Sequence, residues 1–303
     1  LADRYLKSEQ PANMIPIVRS FYDKPTGSWT YLVADPASQQ AAIIDPVLDY
    51  DGRSGRTGTA GADALVEAVQ ADGLSVRWIL ETHAHADHLS SAHYLKRQLG
   101  APLAIGSGIV QVQETFKRIY GLGPEFVPDG SHFDRLLADG ERLPLGDLEI
   151  RIMATPGHTN DSVTYLIGDA AFVGDTLFMP DSGSARCDFP GGSAARLYRS
   201  VMELYSLPSA TRIFVGHDYM PGGRAPLCES TVAAERAGNI HVHDGIDLAT
   251  YVAMREARDA TLDMPNLILP AIQVNIRAGR LPPAEADGVS YLRIPVNVVG
   301  RPL

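Results

Sequence analysis

Apolar positions fall in short runs along the first part of the chain. "MIPIVRSFY", "SWTYLVAD" and "QAAIIDP" are rich in aromatic and β-branched residues and are separated by turn residues, so each predicts a strand. "GADALVEAVQADG" changes to helical spacing and closes on Gly73. "LSVRWILET" is a compact apolar strand. Behind it "ADHLSSAHYLKRQLG" has helical periodicity, with Asp87 near its start and Gly100 at its stop. The strand-then-turn pattern returns in "LEIRIMATPGHT", "DAAFVGDTLF" and "TRIFVGHDY". The glycine-rich "DGRSGRTGTAG" (51–61) reads as a loop and lacks the spacing of a phosphate cradle. From about residue 229 the pattern is more helical ("TVAAERAGNI", "DLATYVAMREARDATL", "PNLILPAIQVNIRAG"), which predicts a C-terminal cap (229–303) on the same α/β domain. Met14 reads as a start, leaving 1–13 as an appended extension to a single domain of residues 14–303. No repeat or low-complexity tract interrupts this order.

Composition narrows the function. The 303 residues are 45% hydrophobic and 20% charged, enough for a sizeable core. A formal net charge of −10, with no basic stripe, argues against nucleic acid as a partner. No apolar run approaches the roughly 20 residues that span a bilayer, and "LADRYLKSEQPANM" lacks the apolar centre of a secretory signal. Cys187 and Cys228 read as reduced thiols, so a cytoplasmic location is expected.

The chemistry sits where strands end. "ETHAHADHLSSAH" places His83, His85, Asp87 and His88 on a strand-to-helix turn, the position at which open α/β sheets present ligand sites. Four such groups forced together without a partner would carry a large desolvation cost, which a metal ion removes. The other strand ends deliver His158, Asp175 and His217. Seven donors are too many for one tetrahedral ion. They imply either two metals bridged by Asp175, or one metal whose remaining neighbours orient ligands and water. His93, His132, His241 and His243 read as surface or packed histidines.

This ordered set resembles the metallo-β-lactamase superfamily, which implies an αββα sandwich. Within it, "TPGHTNDSVTYLIGD", "FVGDTLF", "SARCDFPGG" and "VGHDY" resemble the persulfide (sulfur) dioxygenases, in a longer bacterial type. That resemblance implies one Fe(II) per chain held by His83, His158 and Asp175, with His85, Asp87, His88 and His217 orienting groups around it. It also implies substrate contacts from Arg186, Asp188 and Tyr219. Arg186 and Arg277 are candidates to grip the carboxylates of glutathione. The implied reaction joins glutathione persulfide, O₂ and water to give sulfite and glutathione, in a chain for which a homodimer is an allowed assembly. The alternative is a glyoxalase II-type thioester hydrolase, in which all seven donors hold two Zn ions. One departure stands out: Ala278 in "NIRAG" occupies a place where the branch with the animal enzyme has cysteine.

Overall fold

The period-two alternation of the early strands decides which side of each faces which core. In the computed structural model, which describes residues 15–300, β1 (Ile17–Asp23), β2 (Ser28–Ala34) and β3 (Gln40–Ile44) form an antiparallel meander. Along β2 and β3, Tyr31, Val33, Ala42 and Ile44 point into one buried cluster, and Leu32, Ala34, Ala41 and Ile43 into another. The expected start at Met14 and extension 1–13 lie outside the described residues.

A hairpin follows, β4 (Val47–Asp51) with β5 (Arg56–Gly58), and then α1 (Ala60–Ala71). The glycine-rich stretch expected to be a loop is therefore largely this hairpin and its turn. Gly58 has a steric reason: a Cβ there would lie 3.2 Å from the Asp49 carboxylate, whose other task is to accept the Ala60 N–H at 2.8 Å.

β6 (Ser75–Glu81) runs parallel to β3, and β7 (Leu89–Ser90), α2 (Ala92–Leu99), β8 (Leu103–Gly106), α3 (Ile109–Ile119) and β9 (Arg135–Leu137) follow. The helix expected to begin around Asp87 begins instead at Ala92. Leu89 and Ser90 pair with Leu48 and Val47 of β4, and the Ser91 N–H donates to the Pro46 carbonyl, so this backbone is committed to strand bonds. Asp87 and His88 thus lie on a loop.

The second half builds a second sheet from β10 (Arg142–Leu145), β11 (Leu148–Ala154), β12 (Val163–Ile167), β13 (Ala170–Gly174), β14 (Arg212–Val215) and β15 (Glu229–Thr231), in that order. The first sheet has the order β1-β2-β3-β6-β8-β9. The two stack face to face, with Tyr31 edge-on to Phe172 and Phe214 between them. α1, α2 and α3 cover the outer face of the first sheet through Leu65, Leu95 and Phe116. α4 (Ala194–Leu204) packs with the second sheet through Leu197 and Val201. The layers are αββα, as expected.

The cap contains α5 (Val232–Gly238), α6 (Leu248–Asp259) and α7 (Ile268–Asn275). α6 grips the chain that follows β13. The buried Arg255 donates to Asp259 at 2.6 Å and to the Ser184 carbonyl at 3.0 Å, while Asp259 accepts the Cys187 N–H at 2.8 Å.

One buried acid in the cap makes stability depend on pH. Burial pushes Glu235, hydrogen-bonded by Asn239 at 2.8 Å, up to a pKa of about 7. Its folded pKa exceeds the unfolded one, so the protonated form favours the fold. The cost grows as pH rises through this window and is complete above about pH 7. Glu235→Gln keeps the shape and removes the charge. It should stabilise the chain by on the order of 2 kcal/mol at pH 8.5, and by much less at pH 5.5. Thermal unfolding at both values checks this; a variant less stable at pH 8.5 would refute it.

Candidate metal centre

β6, β11, β13 and β14 all end at one edge of the sandwich, and each releases a ligand-type side chain one to four residues later. The ends are stitched across the sheets. The Val163 N–H donates to the Thr82 carbonyl at 2.9 Å, the Tyr165 hydroxyl to the Glu81 carbonyl at 2.7 Å, and the Ala84 N–H to Asp161 at 2.8 Å. Gly174, at φ +49°, permits the approach of β13, since a Cβ there would meet the Thr82 hydroxyl at 2.4 Å.

His83, His158 and Asp175 present donor atoms that all lie within 4.8 Å of one another. Asp175 Oδ2 is 3.9 Å from His83 Nε2 and 3.7 Å from His158 Nε2. Hydrogen bonds set both rings for ligation. His158 Nδ1 is 2.8 Å from the Arg186 carbonyl, which can only accept, so its proton sits there and the Nε2 lone pair is free. The Thr82 hydroxyl spends its hydrogen on Asp45 at 2.7 Å, so it accepts from His83 Nδ1 at 3.0 Å and leaves His83 Nε2 as a lone pair. Burial, followed by the neighbouring His85 and His158, pushes the His83 pKa well below the usual range, which keeps the ring neutral. His83 Nε2 and Asp175 Oδ1 are buried without a hydrogen-bond partner. Two imidazole lone pairs and a carboxylate converging on one buried point fit a transition-metal ion.

The other four candidates surround this point differently. His85 Nε2 lies 3.0 Å from Asp45 and 3.5 Å from Glu81. Burial opposes a charge on this ring, yet Asp45 and Glu81 hold its pKa well above the ordinary histidine value. His217 Nε2 sits 3.1 Å from Asp87 and 3.6 Å from Asp175 Oδ1. Against burial, Asp175 and Asp87 raise its pKa to about 9. His85, Asp87 and His217 make a second compact donor group, and Asp45, Glu81 and His85 a third. His88 is held by the Leu89 carbonyl at 3.0 Å and lies 4.0 Å from Asp87, outside all three groups.

Sequence reasoning missed Asp45, Glu81 and Asn275. Asp45 ends β3 at φ +50°, a region that non-glycine residues enter only when the surroundings enforce it. Its carboxylate takes both the N–H and the hydroxyl of Thr82 at 2.7 Å. Asn275, at the end of α7, donates to the His85 and His88 carbonyls at 2.8 Å and accepts the Ser90 N–H at 2.8 Å. One buried side chain thereby fixes both ends of the ligand loop.

A cavity of about 450 Å³ opens over the centre, lined by His158, Asp175, His217, Phe178, Phe189 and the cap residues after α6. Tyr219 stands on its wall, stacked on His217 at 5.9 Å. Arg186 lines it too, but forks onto Asp188 with two 2.7 Å bonds, and Asp188 itself is not on this wall. Arg277 does not reach the cavity: its guanidinium lies over Phe126 at 4.7 Å and donates to the Gln273 carbonyl at 2.6 Å. Beside it Ala278 adopts φ +59°. Cys187 is a buried thiol pushed up to about 12 by burial, in keeping with an inert role. His93, His132, His241 and His243 join none of the donor groups, although His241 lines the cavity.

A model of the metallo-beta-lactamase superfamily matches residues 23–217, which carry every one of the seven donors. The chain belongs to that superfamily. Relatives within it point two ways. A probable metallo-hydrolase of Burkholderia pseudomallei is 54% identical, over 93% of this chain and 99% of its own. Glyoxylase B2 of Dictyostelium discoideum is 47% identical, over 92% and 97%. The mitochondrial persulfide dioxygenase ETHE1 of Mus musculus is 29% identical, over 91% and 95%. Among solved structures, ETHE1 from Myxococcus xanthus superposes with a TM-score of 0.69 at 29% identity, covering 87% of this chain and all of that one.

Two outcomes test the superfamily centre in this chain. Asp175→Ala should abolish metal retention through gel filtration, and His93→Ala should retain the wild-type metal content; equal loss in both would refute the assignment. Asn275→Ala should keep the folded circular-dichroism spectrum yet weaken metal binding by about 10- to 100-fold in chelator competition. Asn275→Asp, which lacks the two N–H donors, should not restore it.

Proposed function

We propose that the chain is a persulfide dioxygenase working with a single Fe(II). The observation that carries this reading is the His83, His158 and Asp175 triad, whose donor atoms converge on one buried point, while His85 Nε2 lies 3.0 Å from Asp45, a carboxylate outside that triad. His83, His158 and Asp175 would hold the Fe(II), which would supply redox chemistry toward O₂.

The residues of the chain do the rest. Phe178, Phe189 and Tyr219 wall the cavity and limit water around a reactive sulfur. His217, charged at neutral pH beside Asp87, offers a proton 3.6 Å from Asp175. The rigid loop held by Asp161 and Asn275 keeps the triad from rearranging as substrate enters. The overall change is glutathione persulfide plus O₂ plus H₂O to glutathione plus sulfurous acid. The S–S bond breaks, the two sulfurs together lose four electrons, and O₂ takes up those four. A cytoplasmic setting belongs to the same reading: no helix among the described residues is long and apolar enough to cross a membrane, and both cysteines are free.

A second reading has its own support. The group of His85, Asp87 and His217 adjoins Asp175, which suits a two-zinc thioester hydrolase, and two of the relatives are named as a metallo-hydrolase and a glyoxylase.

Metal analysis and an oxygen electrode separate the two. The dioxygenase reading expects close to one iron per chain after expression with iron, and oxygen uptake on addition of glutathione persulfide. Two zinc ions per chain, no oxygen uptake and rapid hydrolysis of S-lactoylglutathione would replace it with the hydrolase.

A further inference from the structure

The cavity over the centre, at about 450 Å³, has the size of a small peptide-like ligand. The charges on its wall pair off one by one. Arg255 is held by Asp259 at 2.6 Å, Arg186 by Asp188 at 2.7 Å, and Asp87 by His217 at 3.1 Å. Asp175 belongs to the metal triad. His241 Nδ1 accepts the Ser184 N–H at 2.9 Å; burial, then Arg255 and Arg258, lower its pKa to about 4, so it is neutral.

Two charges are left over. Arg258, in the last turn of α6, and Asp263, just beyond that helix, both line the cavity and are exposed. Among the described residues neither side chain forms an ion pair or hydrogen bond, with each other or with anything else; Asp263 meets Arg186 only through its main-chain carbonyl. A cation and an anion on one wall, each without a partner, match a ligand that carries both charges close together. A planar guanidinium takes a carboxylate through two parallel bonds, and a carboxylate takes an ammonium.

We propose that Arg258 and Asp263 anchor the zwitterionic α-amino-acid end of the substrate, its carboxylate on Arg258 and its ammonium on Asp263, with the sulfur directed to His83, His158 and Asp175. The identity of that sulfur group rests on the persulfide reading above, whereas the anchor does not. The assignment also replaces Arg186 and Arg277 as the carboxylate grip, because one is tied to Asp188 and the other turns to Phe126.

Calorimetric titration of the metal-loaded protein with glutathione reads the anchor alone. Arg258→Gln should weaken binding by about tenfold, and Arg258→Lys should recover part of the loss. Asp263→Asn should weaken glutathione yet leave N-acetylglutathione, which has no ammonium, unaffected. With glutathione persulfide, Arg258→Gln should raise KM about tenfold and move kcat less than about twofold, while KM for the persulfide of 2-mercaptoethanol, which has neither carboxylate nor ammonium, stays at the wild-type value. No measurable glutathione binding by the wild type, equal glutathione affinity in wild type and Arg258→Gln, or an equal rise in KM for both persulfides would each overturn the anchor. Glutathione binding that depends on Arg258, in a protein that consumes no oxygen with either persulfide, keeps the anchor and removes the persulfide reading instead.

Discussion

The arrangement of the centre hangs on one buried carboxylate. Asp45, held in a left-handed backbone conformation at the end of β3, receives the N–H and the hydroxyl of Thr82 and faces His85. Through Thr82 it decides which nitrogen of His83 carries the proton; through its charge, 3.0 Å from Nε2, it holds the His85 pKa up. Two neighbours in the same motif are thereby given different work. Removing the charge while keeping the fold would release the His83 tautomer, because a hydroxyl with no carboxylate to serve can donate to His83 Nδ1 as well as accept from it.

The cap contributes more than cover. α7 reaches the ligand loop through Asn275, and α6 reaches the strand-end segment of the second sheet through Arg255 and Asp259. Each of these buried polar groups meets its partners with good geometry, which is what makes such contacts specific instead of costly. Arg255 and Arg258 of α6 and the segment that leads into α7, through Leu267, line the cavity, so the cap supports both the cavity wall and the ligand loop.

Much of this was legible in the chain because ligand-type residues follow strands. The seven donors stand directly after apolar runs, and the αββα layers follow from the order of those runs. The sequence hid whatever depends on partners far away in the chain. The apolar spacing of residues 86–91 imitates a helix, yet Leu89 and Ser90 pair with β4. Asp45 in "IIDP" looks like a turn residue, Glu81 like the polar end of a strand, and Asn275 like a surface position on a helix; each is buried. Arg277 shows the reverse case. Its charge suggested a substrate contact, whereas its position at the end of α7 aims it at Phe126.

The bonds from Asn275 to the loop bridge as many as 190 residues of sequence. During synthesis the histidines therefore emerge long before the side chain that shapes them exists. Until α7 arrives, the carbonyls of His85 and His88 and the N–H of Ser90 lack the side chain that joins them; afterwards the loop is held at both ends. The shape of the ligand loop is accordingly tied to the completion of folding, and a chain cut before α7 would carry the histidines without the side chain that sets their spacing.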